Sequence, residues 1–187
     1  MVEAHARLAE LRVSAIPGWM TEAELCWLYE QAERHVRWSD DVWVEVGCYR
    51  GRSTAAVMAG AVPFGTIWCV DTFDGRATPG GEVTTPAEGA AAFCEELRSR
   101  GLPIPRILPL ESHIAARYID TATVVFIDGA HDEASVHQDI ACWLPKVEPG
   151  GMICGHDYPA YGVGPAVDAA FGDRVQRGPD SIWFVRV

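Results

Sequence analysis

The sequence predicts a single α/β domain with a doubly wound sheet and helices on both of its faces. Short apolar segments alternate with amphipathic segments from residue 42 onward. A glycine-containing turn joins the first apolar segment to a helix, and two strand-like segments close the chain in a tight hairpin. The 187 residues allow one well-filled core but not two ordinary domains. We therefore expect one domain over residues 1–187 and a single active site.

Residues 1–40 are predicted to form a helical extension that precedes the core at 42–187. Thr21 followed three residues later by Glu24 has the spacing of a helix capping box. Apolar residues then recur at helical spacing up to about His35. We expect this helix to pack outside the central sheet.

The core strands are predicted from short apolar segments, which are typical of parallel strands buried on both faces. These segments are 42–46, 66–71, 106–110, 123–128 and 151–157. Helical patterns lie between them at 53–59, 86–100, 113–118 and 133–144. Strand and helix therefore alternate, as in a doubly wound sheet.

The C-terminal segment departs from this alternation. A helix is predicted over 163–171, followed by a strand at 174–177 and a last strand at 181–187. Only Gly178-Pro179-Asp180 separates the two strands, and a turn this short requires an antiparallel pair.

Segment 74–89 fits no regular element because it is rich in glycine, proline and threonine. It follows the second predicted strand directly. The segment is either a solvated loop or a lid over the substrate, and the sequence leaves both interpretations open.

Composition excludes several classes of function. The net charge of −11 argues against a protein that binds the phosphates of a nucleic acid. It favours an uncharged or cationic small molecule as the ligand. The six cysteines include no CxxC pair and are expected to be reduced, which favours the cytoplasm. No stretch resembles a signal peptide or a membrane span, so we expect no membrane partner.

The segment VWVEVGCYRGRST moves from a strand through a glycine turn into a helix. Gly47 and Gly51 are spaced G-x-x-x-G, whereas a dinucleotide pyrophosphate needs G-x-G-x-x-G. Glu45 would repel a diphosphate but would meet the positively charged amino group of an amino-acid-like cofactor. Asp71, at the end of the second predicted strand, is placed to accept hydrogen bonds from both hydroxyls of a ribose.

Together these features resemble the class I S-adenosylmethionine-dependent methyltransferases, from about Val42 to the C-terminus. The resemblance implies a Rossmann-like seven-stranded sheet in the order 3-2-1-4-5-7-6, with the last strand antiparallel. It also implies a set of cofactor-binding residues that covers the methionine part, the ribose and the adenine. They are Glu45, Gly47, Cys48, Tyr49, Gly51 and Ser53, then Asp71, Thr72 and Phe73, then Ser112, His113 and Asp128.

Candidate catalytic groups follow the fourth and fifth predicted strands, in FIDGAH and GHDY. If these strands are neighbours, Asp128 and Asp157 face each other at the carboxyl edge of the sheet, where such folds bind ligands. Together with His156 they would hold a divalent cation such as Mg²⁺, which would acidify a substrate hydroxyl. The alternative is that Asp128 bonds the glycine loop and Asp157 caps a turn. His131 is a candidate general base.

The segment that contains these motifs, residues 126–158, resembles the small-molecule O-methyltransferase branch of macrolide-sugar methyltransferases and cephalosporin hydroxylase-like proteins. By this resemblance, Asp128 and Asp157 correspond to the metal ligands of that branch and His131 corresponds to its general base. Two positions depart from the pattern. His156 stands where metal-dependent members have another acid, and Ala130 stands where many relatives have aspartate.

The sequence therefore predicts methylation of a hydroxyl group on a small-molecule acceptor. A nicotinamide-dependent oxidoreductase, a non-catalytic S-adenosylmethionine-binding module and another reaction on the same scaffold, such as hydroxylation, remain alternatives. Trp19, in the Pro17-Gly18 loop, is a candidate substrate contact. Few residues lie outside the core fold, which favours a homo-oligomer, although no motif specifies its symmetry.

Overall fold

The central sheet confirms the predicted architecture. A computed structural model describes residues 2–61, 65–76 and 84–187. Within these residues, one sheet contains β1 (Val42–Val46), β2 (Thr66–Val70), β3 (Arg106–Leu108), β4 (Ala122–Ile127), β5 (Val147–Gly155), β6 (Gln176–Arg177) and β7 (Trp183–Arg186). The strand order is β3-β2-β1-β4-β5-β7-β6. The first five strands are parallel, and β7 pairs antiparallel with both β5 and β6.

Helices cover both faces of the sheet. They are α1 (Val2–Glu10), α2 (Glu22–His35), α3 (Arg52–Gly60), α4 (Pro86–Arg98), α5 (Ser112–Ala115), α6 (Glu133–Trp143) and α7 (Val163–Phe171). Successive strand residues point to opposite faces, so that Trp43 packs into the core on the α2 and α3 side and Val44 into the core on the α6 and α7 side. Both are fully buried, which explains why four of the five residues of β1 are apolar, with Glu45 as the exception.

The N-terminal segment packs mainly against α3, and Trp27 of α2 also contacts Phe184 of β7. Thr21 and Glu24 form the predicted capping box, in which the Thr21 hydroxyl accepts from the Glu24 amide and the Glu24 carboxylate accepts from the Thr21 amide. Leu25 and Leu28 of α2 are buried in the same core as Ala55 of α3. The expectation that this helix lies outside the sheet is confirmed.

Strand ends place the polar residues of interest just beyond the sheet. β2 ends at Val70, β4 at Ile127 and β5 at Gly155, so that Asp71, Asp128 and the pair His156-Asp157 follow them directly. The fifth strand begins and ends earlier than the predicted 151–157. It begins at Val147, which pairs with Ala122 of β4, and it ends at Gly155, where the pairing with β4 stops. All four residues therefore lie at one edge of the sheet.

Residues 77–83 of segment 74–89, the predicted loop or lid, lie outside the described residues, which resume at Thr84. The two ends of this segment are joined, since the Thr84 amide donates to the carbonyl of Asp74 and the Thr84 hydroxyl donates to the carbonyl of Phe73. In the part of the chain that the structure describes, no helix is both long and apolar enough to cross a membrane.

Candidate functional site

A cavity of about 620 Å³ opens at the carboxyl edge of the parallel strands. Its volume is in the range of small-molecule sites. Most of the predicted site residues line it: Gly47, Cys48, Tyr49, Ser53, Asp71, Thr72, Ser112, His113, Asp128, His131, His156 and Asp157. Glu45, Gly51 and Phe73 do not line it. The topology thus brings residues from distant parts of the sequence to one opening.

Asp71 holds the glycine loop in shape. Its Oδ2 accepts hydrogen bonds from the amides of Cys48 (2.7 Å) and Tyr49 (2.8 Å), and its Oδ1 accepts from the amide of Phe73 (2.6 Å). Tyr49 has a φ of 46°, a left-handed conformation that is costly for a non-glycine residue and needs such support. Carboxylate oxygens accept more than one hydrogen bond each, so the predicted ribose contact stays compatible with these bonds.

Gly47 is required by the close approach of the loop that follows β4. Its φ is 84°, and a Cβ atom there would collide with the backbone carbonyl of Asp128. The two loops that carry Cys48 and Asp128 are therefore in direct contact across the floor of the cavity.

Glu45 lies behind the cavity wall rather than on it. Its carboxylate is fully buried and accepts hydrogen bonds from the hydroxyls of Ser53 and Thr54, the latter at 2.7 Å. Burial raises the pKa of Glu45 to about 7, against the opposing effect of these two hydrogen bonds. Ser53 therefore lines the cavity, and Glu45 fixes it at the start of α3.

Ser112 joins a polar group that the sequence analysis missed. Its hydroxyl accepts a hydrogen bond from the Trp143 indole (2.8 Å), and it interacts with the carboxyl of Asp139 on α6. Asp139 is only 6% exposed and lines the cavity, and burial raises its pKa to about 6. A sequence signal existed: Val136, Asp139, Ile140 and Trp143 share the buried face of α6, so that an acid stands at an apolar position of the helical pattern.

A second polar group contains the predicted catalytic residues. His131 Nε2 lies 3.1 Å from Asp157 Oδ2 and 3.9 Å from Asp128 Oδ1. His156 Nδ1 lies 3.4 Å from each of these same two oxygens. The prediction that Asp128 and Asp157 come together is therefore met in the geometry, with two imidazoles rather than one beside them.

Glu24 completes this group from the N-terminal segment. Its Oε1 lies 3.1 Å from His156 Nε2 and accepts hydrogen bonds from the Ser181 amide (3.0 Å) and hydroxyl (2.7 Å). Thr21 beside it donates its hydroxyl to Asp180 at 2.6 Å. From the sequence, Glu24 is expected in a capping box only, because that motif accounts for one of its oxygens and nothing local indicates the partner of the other.

Opposite charges determine the pKa values in this group. Burial disfavours a charge on His156, but the carboxylates of Asp128, Asp157 and Glu24 outweigh it and raise the pKa of His156 far above its ordinary value. Burial likewise disfavours a charge on Glu24 and on Asp157, and contact with His156 nevertheless lowers the pKa of both. The pKa of His131 is raised by Asp128 first, against the effect of burial.

The predicted metal ligands Asp128, His156 and Asp157 lie close together, since His156 Nδ1 is 3.4 Å from Asp128 Oδ1 and from Asp157 Oδ2. Ligand atoms of Asp128, His131 and Asp157 also lie within 4.8 Å of one another. Two carboxylates beside an imidazole are a donor set that a divalent cation accepts, so the metal site stays a prediction.

Two aromatic side chains stand at the opening. Trp19 is 61% exposed and lies on Tyr49 with ring centroids 5.4 Å apart. Tyr161 is 72% exposed and stacks on the His131 ring at 5.7 Å. Exposed aromatic faces beside a cavity suit the apolar or cationic faces of a small ligand.

Residues 44–158 match a family described as a methyltransferase domain. Three solved structures share the fold. The O-methyltransferase NovP is 19% identical, with a TM-score of 0.66 over 84% of this chain and 78% of its own. The O-methyltransferase TomG from Streptomyces achromogenes, in complex with SAM, is 14% identical, with a TM-score of 0.64 over 100% of this chain and 89% of its own. A putative rRNA-methylase from Clostridium thermocellum is 14% identical, with a TM-score of 0.66 over 90% of this chain and 99% of its own.

Proposed function

The chain belongs to the methyltransferase domain family, and we propose that it transfers the methyl group of S-adenosylmethionine to a hydroxyl group of a small, uncharged or cationic acceptor. The observation that carries this proposal is the single cavity in which the loop held by Asp71 and the group around His131 share one opening. Asp71 and Ser53 on one side of the cavity are polar groups that a nucleoside and an amino acid would bind. On the other side, His131 lies next to the carboxylates of Asp128 and Asp157.

The cofactor side fits S-adenosylmethionine by its donor and acceptor set. Asp71 would bind the ribose hydroxyls, and Ser53 with the loop at Gly47 would bind the methionine part. Ser112 and Asp139 would bind the adenine. When bound, this cofactor supplies a methyl group already activated by a positive sulfur. The protein then needs to align the acceptor and remove its proton, and alignment alone accounts for a large part of such rate enhancements.

His131 is the residue that we propose accepts the hydroxyl proton. The carboxylates of Asp128 and Asp157 lie on the Nε2 side of its ring, which favours the tautomer with the proton on Nε2 and leaves the lone pair on Nδ1. The same carboxylates stabilise the imidazolium that forms when the proton arrives. Tyr161, stacked on the ring, limits its rotation.

The charge of the cavity indicates the class of acceptor. Among the described residues that line it, Arg52 is the one arginine or lysine. Its guanidinium donates to the backbone carbonyls of Ile16, Met20 and Ser14 and is therefore occupied. Several carboxylates face the same space, so a phosphorylated acceptor would be repelled while a neutral or amino-bearing one would be accepted.

Ligand binding is the first test of this function. Isothermal titration calorimetry with S-adenosylhomocysteine and with NADH, in separate experiments, should show binding of the first only. Binding of NADH alone would support the oxidoreductase alternative and overturn the proposal.

Catalysis is tested with a panel of hydroxylated acceptors that are neutral, amino-bearing or phosphorylated, followed by mass spectrometry. We expect products heavier by one methylene unit from the first two classes. His131→Ala should abolish product formation, whereas His137→Ala, a matched change of a more exposed histidine on α6, should not. Cofactor binding with no product from any acceptor, and no effect of His131→Ala on the protein's role in the cell, would favour the non-catalytic module.

A further inference from the structure

Arg52 binds the Trp19 loop, residues 14–20, through three backbone carbonyls. Its Nε donates to the carbonyl of Ile16 at 2.6 Å, Nη1 to that of Met20 at 3.1 Å and Nη2 to that of Ser14 at 3.2 Å. Burial lowers the pKa of Arg52, and no carboxylate of the described residues offsets this effect. A guanidinium carries its N–H donors in one rigid plane, so that a single side chain holds several acceptors at fixed positions.

Two of these contacts close the exposed tip of the Trp19 loop. Ile16 and Met20 are buried in the same core, whereas residues 17–19 between them are not buried. Arg52 binds the carbonyls on both sides of this tip. Gly18 lies directly on the Arg52 side chain, since a Cβ atom at Gly18 would be 3.2 Å from Nε. One side chain therefore holds the tip at both ends and contacts its middle.

Trp19 is the aromatic side chain that this closed tip presents to the cavity. It lines the cavity, and its ring lies on that of Tyr49 in the glycine loop, with centroids 5.4 Å apart. Two residues further along, Thr21 lines the same cavity and donates to Asp180. Trp19 therefore connects the cofactor side of the cavity with the side that contains the C-terminal hairpin turn.

We propose that Arg52 is a positioning residue that holds Trp19 in place as a wall of the acceptor site, against which a ring of the acceptor packs. Aromatic faces in ligand cavities bind flat groups in this way. Arg52 is the neighbour of Ser53 at the start of α3, so the same helix end anchors this wall and carries a group of the cofactor side. The acceptor part of this inference rests on the proposed methyl transfer, whereas the position of Trp19 is measured without turnover.

Fluorine NMR of protein labelled with 5-fluorotryptophan measures the position of Trp19. The chain contains seven tryptophans, and Trp19→Phe identifies the resonance of Trp19. This resonance should differ from its value in the urea-unfolded protein, because the ring lies on Tyr49. Arg52→Met removes the donors but keeps much of the side-chain volume, and it should move the resonance toward the unfolded value. Arg98→Met, at an exposed arginine in the last turn of α4, should leave the resonance unchanged.

Steady-state kinetics with a ring-bearing acceptor test the role of the wall. Arg52→Met and Trp19→Ala should each raise the KM for the acceptor about 3- to 10-fold with kcat unchanged, as expected for the loss of one aromatic contact. The affinity for S-adenosylhomocysteine should stay unchanged, because both variants retain Asp71 and Ser53. Trp19→Phe keeps an aromatic face and should restore the KM. Arg52→Lys should not restore it, because an ammonium group is a point charge and cannot reach the carbonyls on both sides of the tip.

Each outcome decides the proposal. An unchanged Trp19 resonance in Arg52→Met would overturn it, and so would a displaced resonance with an unchanged KM. If Arg52→Met does not fold, Arg52→Lys decides in its place by the same two measurements. If no acceptor is methylated, the proposed function fails, and the Trp19 resonance still decides whether Arg52 positions Trp19.

Discussion

Replacing Glu24 by glutamine should lower the free energy of unfolding by about 3 to 4 kcal/mol. The side chain keeps its shape but loses its charge opposite His156, and breaking one partner of a buried ion pair costs about 3 to 5 kcal/mol. The amide nitrogen of the new side chain also cannot accept from Thr21 or Ser181, which removes a capping interaction of about 1 kcal/mol. The carbonyl oxygen that remains in glutamine still accepts part of these hydrogen bonds, and the expected total loss of unfolding free energy is therefore about 3 to 4 kcal/mol.

Urea unfolding followed by tryptophan fluorescence measures this effect, because buried tryptophans lie in both cores. Glu22→Gln is the matched control. Glu22 lies in the same first turn of α2 but is exposed and lies 3.4 Å from the exposed His5, so the change should stay within about 0.5 kcal/mol. Equal effects of the two substitutions would refute the argument that Glu24 holds a buried charge pair.

The pH dependence of the Glu24→Gln effect follows from the two pKa shifts. The pKa of Glu24 is lowered from 4.5 in the folded protein, so its contribution is present above pH 4.5 and is lost as the pH falls further. The pKa of His156 is raised from 6.5, so its contribution is complete below pH 6.5 and declines as the pH rises above it. The difference in stability between wild type and Glu24→Gln should therefore be largest between these two values.

Three further changes test the cavity. His131→Ala should reduce the methyl-transfer rate about 10²- to 10⁴-fold and leave the affinity for S-adenosylhomocysteine unchanged; the wild-type rate should rise with pH through a value above 6.5, because the pKa of His131 is raised. Asp71→Ala should weaken S-adenosylhomocysteine binding by about 1.5 to 3 kcal/mol and also lower the melting temperature, since three amides lose their acceptor; unchanged affinity in calorimetry would mean that Asp71 does not contact the cofactor. Asp139→Asn should remove the loss of stability that the wild-type protein shows as the pH rises from 3.8 to about 6, because burial raises the pKa of Asp139; identical pH profiles in thermal denaturation would contradict this.

The secondary structure and the family were accessible from local patterns. Each buried strand is a short apolar segment, and the capping box of α2 is two residues at fixed spacing, so that no distant contact is needed to recognise either. The glycine turn and Asp71 identified the methyltransferase family, which the match over residues 44–158 confirms. The strand order came from that resemblance, because apolar segments do not specify their neighbours.

The convergence of Asp128 and Asp157 was also predictable. Both residues directly follow parallel strands, and the carboxyl ends of parallel strands meet at one edge of a sheet. The adjacency of β4 and β5 then brings the two carboxylates together. Position at a strand end is a local property, so the sequence contained it.

The partners of the buried charges were decided by tertiary structure alone. Glu24 meets His156 across 132 residues of sequence, and the other ring nitrogen of His156 faces Asp128 and Asp157. Glu45 is likewise separated from the cavity by Ser53, and Asp139 reaches it from the buried face of α6. The charge and role of a buried ionisable group depend on which groups other elements place against it, and the spacing of residues along the chain carries no information about that packing.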